Sequence, residues 1–348
     1  MSPPTIAARD YPVGATKLTL RMQPIWYHLR ASRAQPPGLC AADERRRHIY
    51  VAALEQFEEL MTASDRVQAA SRPLTIYYAL AQAGKAIVAA HLPDDPPRRH
   101  GLTLPDPSTD LMSTVLKTEE QRGWYQAVSD TVGSPILTAA RLEQIWNAIP
   151  DLALTPLPGS NSPKAALVVP ILDKVFRYVP GSSATASVLF DPLPIDMGQA
   201  SELLLRYPGL GQITARLSPG LDQIARDNTP NGEGLRVHFS LPKGAQPIAQ
   251  WAVISQRAPE YRFSEERWLI PAIADGIVLR PLMAWWALLY SLSMLARYHP
   301  ESWVNALDLN HSPLAVPLED CLDQAMSAVP HLVLEALLNK PFLQVHRV

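Results

Sequence analysis

The stretch Pro281-Leu-Met-Ala-Trp-Trp-Ala-Leu-Leu-Tyr-Ser-Leu-Ser-Met-Leu-Ala296, bounded by Arg280 and Arg297, decides the fold. Its 16 residues fall short of the roughly 20 needed to cross a bilayer, and charges flank it at both ends. No membrane span is expected. A helix that is apolar on every side belongs at the centre of a soluble bundle. It should end at His299-Pro300, because proline disfavours helical geometry in the residue before it.

Such a helix needs partners, and helical spacing occurs further back in the chain. Tyr50, Leu54, Phe57 and Met61 fall at i, i+4, i+7 and i+11, with Glu55, Glu58 and Glu59 on the other side. After Ser64 a second helix is expected from Ser71-Arg-Pro73, with Ser71 as cap and Pro73 in the first turn. It runs through Leu74 to Ala90, and its alanines and Gly84 let a neighbouring helix come close. Leu142, Ile145, Trp146 and Ile149 mark a short third helix stopped by Pro150. Beyond Ser302 more helix is expected, interrupted at Pro313, Pro317 and Pro330, with Glu319, Asp320 and Asp323 on an exposed acidic face.

The middle of the chain reads as strand. Gly234–Leu241 alternates with period 2, as does part of Ala184–Phe190, with weaker signals at Gly123–Val128 and Trp251–Ser255. The expected fold is mainly α with a β-containing insertion (α+β): a helical bundle built from N- and C-terminal helices. Residues 1–44 form an N-terminal extension, 45–110 with 277–348 the discontinuous bundle, and 111–276 a mixed insertion with strands.

Composition agrees with a globular chain and excludes several classes. Of 348 residues, 31 are Lys or Arg and 33 Asp or Glu, for a net charge of −2. An apolar share of 47% and a charged share of only 18% argue against disorder and against a strongly electrostatic protein. Cys40 and Cys321 stand alone, so neither a disulfide scaffold nor a cysteine zinc site is expected, and a reducing cytoplasm is the expected compartment. No charged n-region with an apolar run opens the chain, so no signal peptide is read. The 34 prolines stiffen its connections.

Local strings carry a resemblance. Ser71-Arg-Pro-Leu-Thr-Ile-Tyr-Tyr-Ala-Leu80, Gly84-Lys-Ala86 and His100-Gly-Leu102 resemble the N-terminal half of YaaC-like proteins, and Arg280-Pro-Leu-Met, Ser291–Pro300 and Trp303 resemble the C-terminal half. The resemblance implies a bacterial cytosolic context rather than a defined chemistry. A more distant likeness is to HEPN-type helical domains, through Arg72, Tyr77, Tyr78, Lys85 and Ala86. Many of those cleave RNA with an Arg and a His separated by four to six residues. With the Arg first, only Arg21 and His28 have that spacing here, across a proline and outside the resembling strings.

The candidate ligand-binding residues are Arg72, Lys85, Arg98, Arg99, His100 and Arg297, with His100 and Arg297 the candidates for catalysis. Four of them have a plainer reading. Lys85 can lay its stem on the helix and send its ammonium to water. Arg98 and Arg99 can pair with Asp94 and Asp95. Arg297 can serve the negative end of a helix dipole. The cluster Arg45-Arg-Arg-His48 at a helix start opposes the dipole, which suggests a contact with RNA or an acidic partner unless Asp43 and Glu44 neutralise it. No phosphate loop, dinucleotide fingerprint, nucleophile elbow or His-x-x-x-His pair occurs, so no metal or cofactor is expected.

These readings point to a non-catalytic binding or interaction protein, a component of a multi-protein system such as phage defence. Its expected partner is a protein or a second copy, with nucleic acid left open by the basic clusters. The competing expectation is a HEPN-like enzyme acting on RNA or a nucleotide. In both, Lys85, His100 and Arg297 are expected to converge on an anion.

Overall fold

The computed structural model describes residues 25–94, 97–105, 110–155, 157–170, 183–208, 226–240, 258, 261–262 and 266–338. Three helices come first: α1 (Ile25–Ala34), α2 (Glu44–Ser64) and α3 (Arg72–His91). A small antiparallel sheet follows, ordered β1 (Leu102–Thr103), β2 (Val115–Thr118), β3 (Ala139–Arg141), with α4 (Trp124–Val132) between its last two strands and α5 (Leu142–Asn147) directly after them. The second sheet contains β4 (Ala166–Pro170), β5 (Ser183–Leu189), β6 (Arg226–Thr229), β7 (Gly232–Ser240) and β8 (Arg267–Leu269), with α6 (Met197–Leu205) between β5 and β6. Its order is β6-β7-β5-β4-β8, antiparallel throughout. Helices α7 (Pro281–Tyr298), α8 (Pro300–Ala306) and α9 (Ala315–Leu337) complete the described chain. The fold is α+β and mainly helical.

Helix α7 is the deciding stretch, and it lies in the core on every face from Pro281 to Ser293. Helix α3 packs against it, and the contact is set by Gly84, where a Cβ would come within 2.4 Å of the Trp286 ring. Helix α9 covers both: Arg72 at the start of α3 pairs with Asp323 at 2.5 Å, and His91 at its end bonds the carbonyl of Leu337 at 3.0 Å. Trp303 of α8 donates to the Ala70 carbonyl and closes the turn between α2 and α3.

One hydrophobic core unites these helices with α4, α5 and β2, taking residues from Leu29 to Ala165 and from Tyr261 to Leu338. The larger sheet has its own core. Ala166 and Val168, Ala186 and Val188, and Leu235, Val237 and Phe239 alternate along their strands onto one face, where Ala200 and Leu204 of α6 cover them.

Several local expectations need correction. Gly123–Val128 is not a strand but the start of α4. Tyr125, Val128, Ser129 and Val132 share a buried face at helical spacing, the Gln126 side chain caps the Gly123 amide, and left-handed Gly133 (φ 62°) ends the helix. Six residues were too short a window to separate period 2 from period 3.6. Ser71 stands at the start of α3 but forms no side-chain cap bond, because its backbone is already helical rather than extended. Pro330 does not interrupt α9. It is buried mid-helix between Val329 and Leu332, whose packing offsets a cost of about 3 kcal/mol. The strand candidate Trp251–Ser255 lies outside the described residues.

The basic cluster at the start of α2 has a structural use. Asp43 caps the helix, and Arg46 donates to the carbonyls of Ala89, Leu92 and Pro93 at the end of α3. Arg47 bonds the carbonyls of Cys40 and Ala41. A cation unfavourable to its own helix thus serves the negative end of the next. The acidic face of α9 is also engaged, through Asp323 with Arg72 and Asp320 with Thr155.

Candidate functional site

The loop Arg98–Leu102 is fixed against the bundle by two glycines. Gly101 (φ 83°) lies against Gly123, and a Cβ on Gly123 would come within 2.2 Å of the Gly101 amide. Gln126 fills the remaining space, donating to the carbonyls of Gly101 and Glu119 at 3.1 Å each. The first amides of α4, on Trp124 and Tyr125, bond the carbonyls of Arg99 and His100. This arrangement presents the His100 side chain at the surface while its backbone is held.

Two aromatic rings receive it. His100 Nδ1 is 2.9 Å from the Tyr77 hydroxyl, and Tyr77, His100 and Tyr290 form a triangle with ring centroids 5.5–6.0 Å apart. Burial drives the Tyr77 phenol far above its ordinary pKa, with the neighbouring tyrosines adding to the effect. A phenol kept protonated can donate to Nδ1 or accept from it, so the contact is satisfied in either imidazole tautomer. Tyr290 donates to the Leu102 carbonyl at 2.7 Å, and burial, followed by the nearby Glu119, pushes its pKa up to about 12.

Arg297 of α7 reaches Tyr78, the neighbour of Tyr77 on α3. Its guanidinium donates to the Tyr78 hydroxyl at 3.2 Å and lies 5.0 Å from the centre of the Tyr298 ring. Tyr78 is 42% and Tyr298 61% exposed, so the surface is aromatic as well as cationic.

The sequence candidates therefore divide. His100 bonds Tyr77 and Arg297 bonds Tyr78, adjacent residues of α3. Lys85 lies two turns further along the Tyr78 face of that helix, half-buried, and bonds neither of them. Arg98 and Arg99 are exposed beside His100, and Asp94 pairs instead with Arg122 at 3.8 Å. Among the described residues, Lys85, Arg98 and Arg99 form no ion pair. Arg72 belongs elsewhere, bonding Asp323 and the Val67 carbonyl.

Sequence reasoning did not assign chemistry to Tyr77, Tyr78 or Tyr290, although the Tyr-Tyr pair was the available signal. It also missed Asp151, which accepts from Tyr261, Arg262 and Trp285 beneath the bundle surface. Among the described residues, no group of three or more His, Cys, Asp or Glu is arranged to hold a metal ion, and no helix is long and apolar enough to cross a membrane.

A family model described as YaaC-like Protein matches residues 27–337, most of the chain. The chain belongs to the YaaC-like family. No curated protein and no solved structure matches it.

Proposed function

We propose that this YaaC-like protein works by binding an anionic partner at the His100–Arg297 face, without catalysing a reaction on it. The observation that carries this reading is the pairing of His100 with the Tyr77 hydroxyl beside Arg297 on Tyr78. A nucleophile needs an adjacent base, yet among the described residues no serine, cysteine or carboxylate bonds the His100 ring. What the face offers is the exposed His100 imidazole and the donors of the Arg297 guanidinium, with Arg98 and Arg99 alongside. Exposed tyrosines next to arginines are typical of the centres of protein interfaces, which favours an acidic protein surface as the partner.

Buried, unpaired thiols on Cys40 and Cys321 fit a cytoplasmic protein. A role within a bacterial multi-protein system such as phage defence rests on the family context alone.

The test is titration of the full chain with a polyglutamate peptide and with a single-stranded RNA oligonucleotide, alongside incubation with total RNA with and without chelator. Saturable, salt-sensitive binding of the peptide, weakened about tenfold or more in Arg297→Ala, is expected, with the RNA left intact. Metal-independent cleavage abolished by His100→Ala would overturn the reading in favour of an RNA-acting enzyme.

A further inference from the structure

A second site lies where the helical body meets the larger sheet. An open groove of about 690 Å³ runs between the β3–α5 corner with the 159–163 loop on one wall and the end of α6 with residues 272–276 on the other. That volume is typical of small-molecule sites, which favour the junctions between packed units.

Both walls are held by hydrogen bonds. Buried Asn147 donates to the Ser160 hydroxyl and the Ser162 carbonyl at 2.9 and 3.0 Å, and accepts from the Ala165 amide at 2.7 Å. On the facing wall the Ala272 amide donates to the Arg206 carbonyl at 2.7 Å, and the Ile273 amide to the Ile277 carbonyl at 2.9 Å. Gly159 and Gly276, both in the left-handed region (φ 74° and 73°), line the groove where a Cβ would meet nothing within 4 Å. The opening is therefore free space between fixed walls.

Its charges are unevenly committed. Glu143 accepts from Arg141 at 2.6 Å and from the Ser162 hydroxyl at 3.3 Å. Asp110 accepts from the Met112 amide at 3.2 Å and from the Ser113 hydroxyl. Arg206 is exposed and forms no ion pair among the described residues. Among the described lining side chains the uncommitted charge is positive, Gln144 and Asn161 present amides, and Leu205 and Ile273 add apolar surface.

We infer that this groove binds a small hydroxylated molecule bearing an oxyanion, with Arg206 as its principal charge partner. The fork of a guanidinium suits phosphate and carboxylate alike. Gln144, Asn161 and Ser162 suit hydroxyl groups. The inference is independent of the His100 face, since the two share no residue.

The full chain would be titrated calorimetrically with glucose 6-phosphate, glucuronate and neutral glucose at matched ionic strength. Binding of at least one anion is expected, with glucose failing to bind, and the stronger anion identifies the oxyanion. Arg206→Ala should weaken that binding about tenfold or more, Arg206→Lys by less, and Arg297→Ala not at all. Melting of each variant without ligand controls for folding, which exposed Arg206 should not disturb. Absence of binding by both anions, equal binding of glucose, or unchanged affinity in Arg206→Ala and Arg206→Lys would each overturn the assignment.

Discussion

Asp151 is a buried carboxylate with three side-chain donors. Its side chain is only 4% exposed, yet it accepts from the Tyr261 hydroxyl, from Arg262 at 2.7 Å and from the Trp285 indole at 3.0 Å. Arg262 also bonds the Ser327 hydroxyl at 2.6 Å and holds an unusual positive φ of 51° to do so. Removing the carboxylate leaves the guanidinium against a low-dielectric interior without its counter-charge. Asp151→Ala should therefore lose about 3–5 kcal/mol of unfolding free energy in a denaturant titration, and adding Arg262→Met should restore part of it. An unchanged midpoint would mean the pair carries no net stability. None of this was legible in the sequence. Asp151 follows a proline as an ordinary loop acid, and its arginine is 111 residues away, beyond any local spacing rule. His100 and Arg297 were named from the sequence because each stands in a distinctive string, whereas Tyr77 and Tyr78 entered only through the HEPN likeness and Tyr290 only as part of an apolar helix.

The crossing of α3 and α7 is the element whose geometry the sequence predicts best. Gly84 was expected to admit a close neighbour, and the Trp286 ring occupies the space its side chain would need. Alanine there gains about 1 kcal/mol of helix propensity but must displace a buried indole. Such overpacking costs about 1–3 kcal/mol, so Gly84→Ala should lower the melting temperature despite its better propensity. A rise would show that the indole moves freely. The misread elements have physical explanations too. The short run at Gly123 could not reveal its period, and Pro330 was judged by backbone rules that burial of α9 overrides. The start of α2 was read against its own dipole and its neighbouring acids, while Arg46 serves the carbonyls of α3.

The molecule as a whole should be sensitive to acid. Burial lowers the pKa of His28, His91 and His331 from the ordinary 6.5, and His91 and His331 each use one ring nitrogen as donor to a backbone carbonyl. The unfolded chain binds protons on these imidazoles near 6.5 and the folded chain only below it. Their contribution to stability is complete above 6.5 and drains away as pH falls through the folded values. The melting temperature should fall between pH 7.5 and 5, and the double variant His91→Gln, His331→Gln should show a smaller fall; an identical fall would assign the sensitivity to other groups. The same long-range pairing has a consequence in time. Arg72 and Asp323 are 251 residues apart, and at a synthesis rate of about 5–20 residues per second the second trails the first by roughly 10–50 s. For most of that delay α3 is made while α7 and α9 are not, so the yield of native protein depends on keeping one nascent apolar helix out of other contacts until its partners are made.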